Sequence, residues 1–114
     1  MSAFSDQELE YLLSERRLAR LGTVGKDGTH VTAVGWSYNA ELDTIDIGGH
    51  DFAKSKKYRD VRRTGRAAVL IDDVLPPWRP RAVEVRGRAE AIEQPTPLIR
   101  IYPDRVVSLG LEET

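Results

Sequence analysis

Ser55, Lys56 and Lys57 follow a pair of glycines, Gly48 and Gly49, in the stretch GGHDFAKSKKYRDVRRTGR. A strand end, two glycines, and then the amino end of a helix bearing a hydroxyl and ammonium groups make a suitable arrangement for holding phosphate. Helix amino termini offer free N–H groups and the positive end of the helix dipole. Glycine lets a ligand come close to the backbone, and Lys54, Lys56 and Lys57 add charge. Between residues 54 and 66, seven side chains are basic and one is acidic. The stretch is neither a Walker A loop nor a G-x-G-x-x-G fingerprint. A basic helix is about as often a solvated face, and Arg59, Arg62 and Arg63 read that way or as a balance to the acidic first helix.

Other reactive residue types are sparse. His30 and His50 are the only histidines, and neither has the spacing of a metal ligand, so no metal site is expected. His50, beside Asp51 on a loop, is a candidate proton donor, although such a residue is more often a turn or ligand contact. Tyr38 is a second candidate. Trp36 and Tyr38 alternate with Val34, a spacing typical of a core or dimer interface. Ser37 and Ser108 have no triad around them. Asp72 and Asp73 end a strand and read as a turn. With no cysteine, disulfides, thiolate zinc sites and cysteine nucleophiles are excluded. The net charge of −1 gives no overall attraction to nucleic acid or membrane. The start, MSAFSDQELEYLLSE, is too polar for a signal peptide, and no apolar run approaches the ~18 residues of a membrane span. A cytoplasmic location is the expectation.

The elements that position these residues follow from local patterns. Ser5 and Glu8 form an S-x-x-E capping box with Phe4 and Leu9 as a staple, giving a helix over about residues 5–15. RLARLGTVG, the turn Lys26–Gly28 and HVTAVGWSYN read as a hairpin. After the turn NAELD comes a third strand, TIDIGG, with Ile45 and Ile47 on one face. Tyr58 and Val61 suit one face of a short helix in the basic segment. AAVLID reads as a central strand and DVLPPWRPR as a rigid loop. AVEVRGRAEAI alternates, with Val83, Val85, Ala89 and Ala91 opposite Glu84, Arg86, Arg88 and Glu90. LIRIYPDRVVSLGLE reads as two short strands broken at Pro103. The sum is a mainly β (α+β) chain of six or seven strands and two short helices. It is expected to form a closed or nearly closed barrel in a single domain, 1–114.

In that order, RLARLGTVGKDGTHVTAVGWSYN, TIDIGG, SKKYRDVRRTGRAAVLIDD and RGRAEAI resemble the pyridoxamine 5′-phosphate oxidase-like superfamily. Its members are split β-barrel flavin and deazaflavin proteins, and the resemblance spans nearly the whole chain. GWSYNAELDTIDIGGHDFAKSKKYRDV, PWRPRAVEVRGRAEAI and IRIYPDRVVSLGLE resemble its small actinobacterial branch, which uses coenzyme F420 and includes the last reductase of oxytetracycline biosynthesis. The resemblance implies a homodimer with two cofactor sites at the subunit interface. It implies that Ser55, Lys56 and Lys57 match the Ser-Arg-Lys motif that holds the cofactor phosphate. Lys56 stands at the arginine position; it keeps the charge but loses the planar fork. Gly49 and His50 would line the path to the phosphate. Backbone groups of Val31, Thr32, Ala33 and Val34 would contact the polar edge of the ring system. The partner's PPWRPR loop, with Trp78, would wall the site, placing Arg79 or Arg81 near the acidic tail. The C-terminal substrate-binding part of true pyridoxamine phosphate oxidases is absent, so that reaction is not expected.

Three readings follow. The first is an F420-dependent oxidoreductase that delivers a hydride to an enone-like small molecule. The second is an FMN-dependent oxidoreductase of the same fold, and the third a non-catalytic F420- or flavin-binding protein.

Overall fold

The structure, a computed structural model, describes residues 1–111. Two helices and six strands follow in the order α1 (Asp6–Ser14), β1 (Ala19–Gly25), β2 (Gly28–Asn39), β3 (Thr44–Gly48), α2 (Lys56–Thr64), β4 (Arg66–Leu75), β5 (Arg79–Ile92) and β6 (Leu98–Leu109). A 3-10 turn, Phe52–Lys54, precedes α2. The strands close into an antiparallel barrel in the order β1-β2-β3-β6-β5-β4. No helix among the described residues is long and apolar enough to cross a membrane.

The barrel forms because alternate residues of each strand are apolar and point inward. Leu21, Ile45, Ile71, Val83, Ile99 and Ile101 are completely buried. The expected alternation of β5 is present, with Val83, Val85 and Ala89 buried and Arg86, Arg88 and Glu90 exposed. Helix α1 begins as its capping box requires: Ser5 Oγ accepts from the Glu8 amide, and the Ser5 amide donates to Glu8 Oε1 at 2.8 Å. Its buried Tyr11 and Leu12 cover one end of the barrel. Helix α2 is capped by Ser55 and ends at Gly65, whose φ of 71° is left-handed and suits glycine.

Two expectations are corrected. DVLPPWRPR is mostly strand: β4 and β5 stay paired out to Leu75↔Arg79, leaving only Pro76–Trp78 as the turn. The result is a projecting hairpin with Trp78 exposed at its tip. Pro103 does not split the last strand either. β6 runs through it because the strand itself bulges there, with Asp104 the extra residue between Arg86↔Arg105 and Gly87↔Pro103. A bulge removes the need for a ladder hydrogen bond at that point. Gly87 is required there, since a Cβ would run into the Tyr102 carbonyl.

Candidate cofactor site

The barrel is not fully zipped. Residues Gly35–Asn39 of β2 pair with β3. The earlier part, Gly28–Val34, pairs with β1 on one edge, but β3 ends opposite Gly35 and leaves the other edge without a strand. In an antiparallel strand, alternate residues aim both N–H and C=O at the same edge. Thr29 to Val34 therefore present a short row of backbone donors and acceptors to an opening. Residues 49–55 lead from the end of β3 into α2.

Of the cofactor-binding residues expected from the sequence, Val31, Thr32, Ala33 and Val34 lie on this edge, Ser55, Lys56 and Lys57 begin α2, Gly49 and His50 line a cavity next to β3, and Trp78, Arg79 and Arg81 lie on the β4–β5 hairpin. Val31 and Ala33 are exposed, Thr32 is half-buried, and Val34 turns into the core. Gly48, Gly49, His50, Phe52 and Lys54 line a cavity of about 670 Å³ that Pro97 and Leu98 close from the other side. Asp46 also faces it but is held by Arg100, with 3.0 and 3.1 Å contacts to Nε and Nη2. Burial alone would raise its pKa, but hydrogen bonds from Arg100, Asn39 and Thr44 keep it below the ordinary carboxylate value. It is therefore a structural anion and a poor base.

The three motif residues take different positions. Ser55 is the cap of α2: its hydroxyl donates to the Phe52 carbonyl at 2.7 Å and accepts from the Tyr58 amide at 3.3 Å. The amides of Lys56 and Lys57 remain as the free donors of the first turn. The Lys56 side chain points to the β1–β2 turn, 3.3 Å from Asp27 Oδ1 and 4.0 Å from Asp60 Oδ1. Asp60 is itself buried and accepts from Thr23 Oγ1 at 3.0 Å. Lys57 points the other way, its Nζ 5.3 Å from the centre of the Phe52 ring, and no carboxylate pairs with it among the described residues.

His50 is on the cavity rim with an almost fully exposed ring, 3.3 Å from Asp51. Tyr38 is committed elsewhere. Its hydroxyl donates to Asp43 Oδ1 at 2.6 Å, and this bond, with some help from burial, raises the phenol pKa. Asp43 also accepts from Ser2 Oγ and the Ala3 amide, both at 2.7 Å, so Tyr38 belongs to a clasp that ties down the amino terminus.

Arg79 is exposed near the hairpin tip beside Trp78. Arg81 is not free. It grips Asp73 through Nε and Nη2 at 2.9 and 2.6 Å and lies over the Tyr11 ring. Arg17, nearly buried, holds the same carboxylate at 3.0 Å. This knot fastens α1 to the barrel end, and neither arginine is available to a ligand there.

Some contributors had no local signal in the sequence. Phe52 lies beneath Lys57, and Pro97 and Leu98 come from a distant loop. Asp27 fixes Lys56 from across the barrel end. The only hint was the acid inside the KDG turn.

An open strand edge beside a helix amino terminus, with unpaired lysines and no side chains on two glycines, describes a ligand-binding split barrel. The donor set suits a molecule with a polar planar edge and a phosphate. The chain belongs to the pyridoxamine 5′-phosphate oxidase family, whose profile matches residues 5–107. It is 36% identical to a 5a,11a-dehydrotetracycline/5a,11a-dehydrooxytetracycline reductase of Streptomyces rimosus, over 96% of this chain and 84% of that protein. Among solved structures, a conserved hypothetical protein of Mycobacterium tuberculosis superimposes with a TM-score of 0.78 at 22% identity, covering 96% of this chain and 87% of that one. An F420 reductase superimposes with a TM-score of 0.65 at 20% identity, covering 86% and 94%.

Proposed function

We propose that this chain is an oxidoreductase that uses reduced coenzyme F420 to reduce an enone-like small molecule, and that it works as a homodimer. The observation that carries this reading is the unpaired edge of β2 beside the α2 amino terminus. It offers backbone groups to a ring and N–H groups to a phosphate along one continuous path. The reductase relative and the F420 reductase neighbour support the choice of chemistry. The deazaflavin, when bound, supplies a hydride at its ring carbon.

The protein's own contribution is positioning, which alone can lower a barrier by about 7 kcal/mol or more. Lys57 and the amides of Lys56 and Lys57 hold the phosphate. The residue 31–34 backbone fixes the ring's polar edge. His50, exposed on the cavity rim, is the better placed of the two proton-donor candidates, because the Tyr38 hydroxyl is already donated to Asp43.

Dimerisation is supported by the outer face of the barrel. Register places Ala33, Arg20, Leu70, Glu84 and Val107 in one row across five strands, with Ala82 and Leu109 in the next. Val31, Val107 and Leu109 are exposed on this face. A second copy packed there would bring the partner's Trp78 and the partner's Arg79 over the opening.

The test is parallel titration of the purified protein with F420 and with FMN, followed by fluorescence or absorbance. Tight F420 and weak FMN binding supports the proposal. The reverse outcome makes this a flavin enzyme of the same fold. Binding of neither overturns both readings.

A further inference from the structure

A second cavity, of about 720 Å³, opens where the first leaves off. It lies between the carboxyl end of α1 and the far end of β2, and its lining starts at Gly35, the residue after the 31–34 strip. Ser37 lines both cavities. The walls here are of a different kind. Leu13 and Leu18, 65% and 58% exposed, both line this cavity. The Trp36 ring is held in place because its Nε1–H donates to the Arg17 carbonyl at 2.7 Å. An ideal Cβ built on Gly35 meets nothing within 4 Å, so the floor there is open.

Three charged residues reach this cavity. Arg17 is neutralised by Asp73. Glu15 is exposed and, like Arg16, makes no ion pair among the described residues. Arg16 is exposed too. What remains is a slot with Leu13, Leu18 and Trp36 on its walls, Ser14, Ser37 and Tyr38 between them, and Arg16 beside Glu15 at one side.

We infer that this slot binds the hydride acceptor, and that the acceptor is a planar apolar molecule bearing an anionic or enolic oxygen. This rests on the proposed function for the word acceptor, but not for the binding itself. Leu13, Leu18 and Trp36 take the apolar faces, and Arg16 pairs with the oxygen. In the transfer so proposed, a hydride leaves the reduced cofactor and a C–H bond forms at the electron-poor carbon. The π pair moves to the conjugated oxygen, and a proton from His50 or water completes the reduction. Negative charge grows on that oxygen, where a fixed cation helps most.

The experiment needs no cofactor. Trp36 and Trp78 are the only tryptophans, so a Trp78→Phe background makes emission report on the slot alone. The probes are 2-hydroxy-1,4-naphthoquinone, an anion at neutral pH, and menadione, a neutral molecule of similar size. The anion is expected to quench Trp36 saturably, and Arg16→Ala to weaken it by about tenfold, as losing one charge-assisted contact of ~1.4 kcal/mol would do. Arg16→Lys should recover most of that loss, and menadione should change less than about twofold. Absence of saturable quenching overturns the inference. So does an equal loss for both probes. Quenching that persists in a protein unable to bind F420 keeps the slot and removes only the proposed function.

Discussion

The Lys56 ammonium lies 3.3 Å from the Asp27 carboxylate, in the turn between β1 and β2. Two adjacent lysines thereby receive different tasks. Lys56 ties the start of α2 to a hairpin, and Lys57, with no carboxylate partner among the described residues, is the one proposed to hold the phosphate. Lys57→Glu should weaken F420 binding by at least about tenfold, the equivalent of ~1.4 kcal/mol, while the melting temperature stays within a few degrees. Lys56→Ala should change affinity far less and stability by no more than about 1 kcal/mol, because the pair is largely solvated. Isothermal titration and thermal melts of both variants check this. Equal losses of affinity would contradict the division of labour.

The knot of Tyr11, Arg17, Asp73 and Arg81 should shape the pH profile of stability. Hydrogen bonding from Arg81, against the cost of burial, lowers the Asp73 pKa from 3.8 to about 2. A depressed carboxylate pKa stabilises the fold above the unfolded value, and that stabilisation is lost as pH falls from about 4 towards 2. Burial raises Tyr11 from 10.0 to about 12. Its contribution is complete below pH 10 and is lost as pH rises from 10 to 12. Asp73→Ala strands two guanidinium groups, one nearly buried, and should cost about 3 kcal/mol at neutral pH. Denaturant melts from pH 2 to 12 are the measurement. Tyr11→Phe should flatten the alkaline limb and, because the Tyr11 hydroxyl also donates to Asp73, reduce the acid limb in part.

Tyr38→Phe should leave turnover within about twofold of wild type and reduce stability by about 1 kcal/mol, the value of one hydrogen bond. Steady-state reduction assays beside a thermal melt check both parts. A collapse of kcat with intact stability would return Tyr38 to the list of proton donors.

Much of the fold was legible because its determinants are local. Four residues, Ser5 to Glu8, contain the whole capping box of α1, and the alternation of β5 lies in consecutive positions. Pro103 misled because its tolerance depends on Gly87, which faces it from another strand. The PPW turn was read as too long because prolines suggest loops, whereas β4 and β5 support each other up to Leu75 and Arg79. In the site, the glycines and lysines of the basic segment were visible. Their division was not: Asp27 selects Lys56, Asp73 captures Arg81, and Asp43 occupies Tyr38, each from a distance in sequence that no local pattern encodes.

Charge placed in the outer row should separate the proposed dimer. Val107→Glu combined with Leu109→Glu is expected to halve the mass seen by light scattering to that of the 12.8 kDa chain. F420 affinity should fall with it, since the partner's hairpin is lost from the opening. A wild-type protein that already runs at 12.8 kDa would contradict the shared site.

A closed barrel has no free edges to offer a neighbour, and this one lacks closure over six residues of β2, THVTAV. An unpaired strand edge is a template on which another chain can add itself, and this segment is rich in β-branched residues with no lysine or proline to discourage it. The edge proposed to recognise the ligand is thus also an edge open to sheet-to-sheet polymerisation. Filling it should do more than prepare a reaction: the ligand acts as a solubility factor, and protein made without it should store poorly.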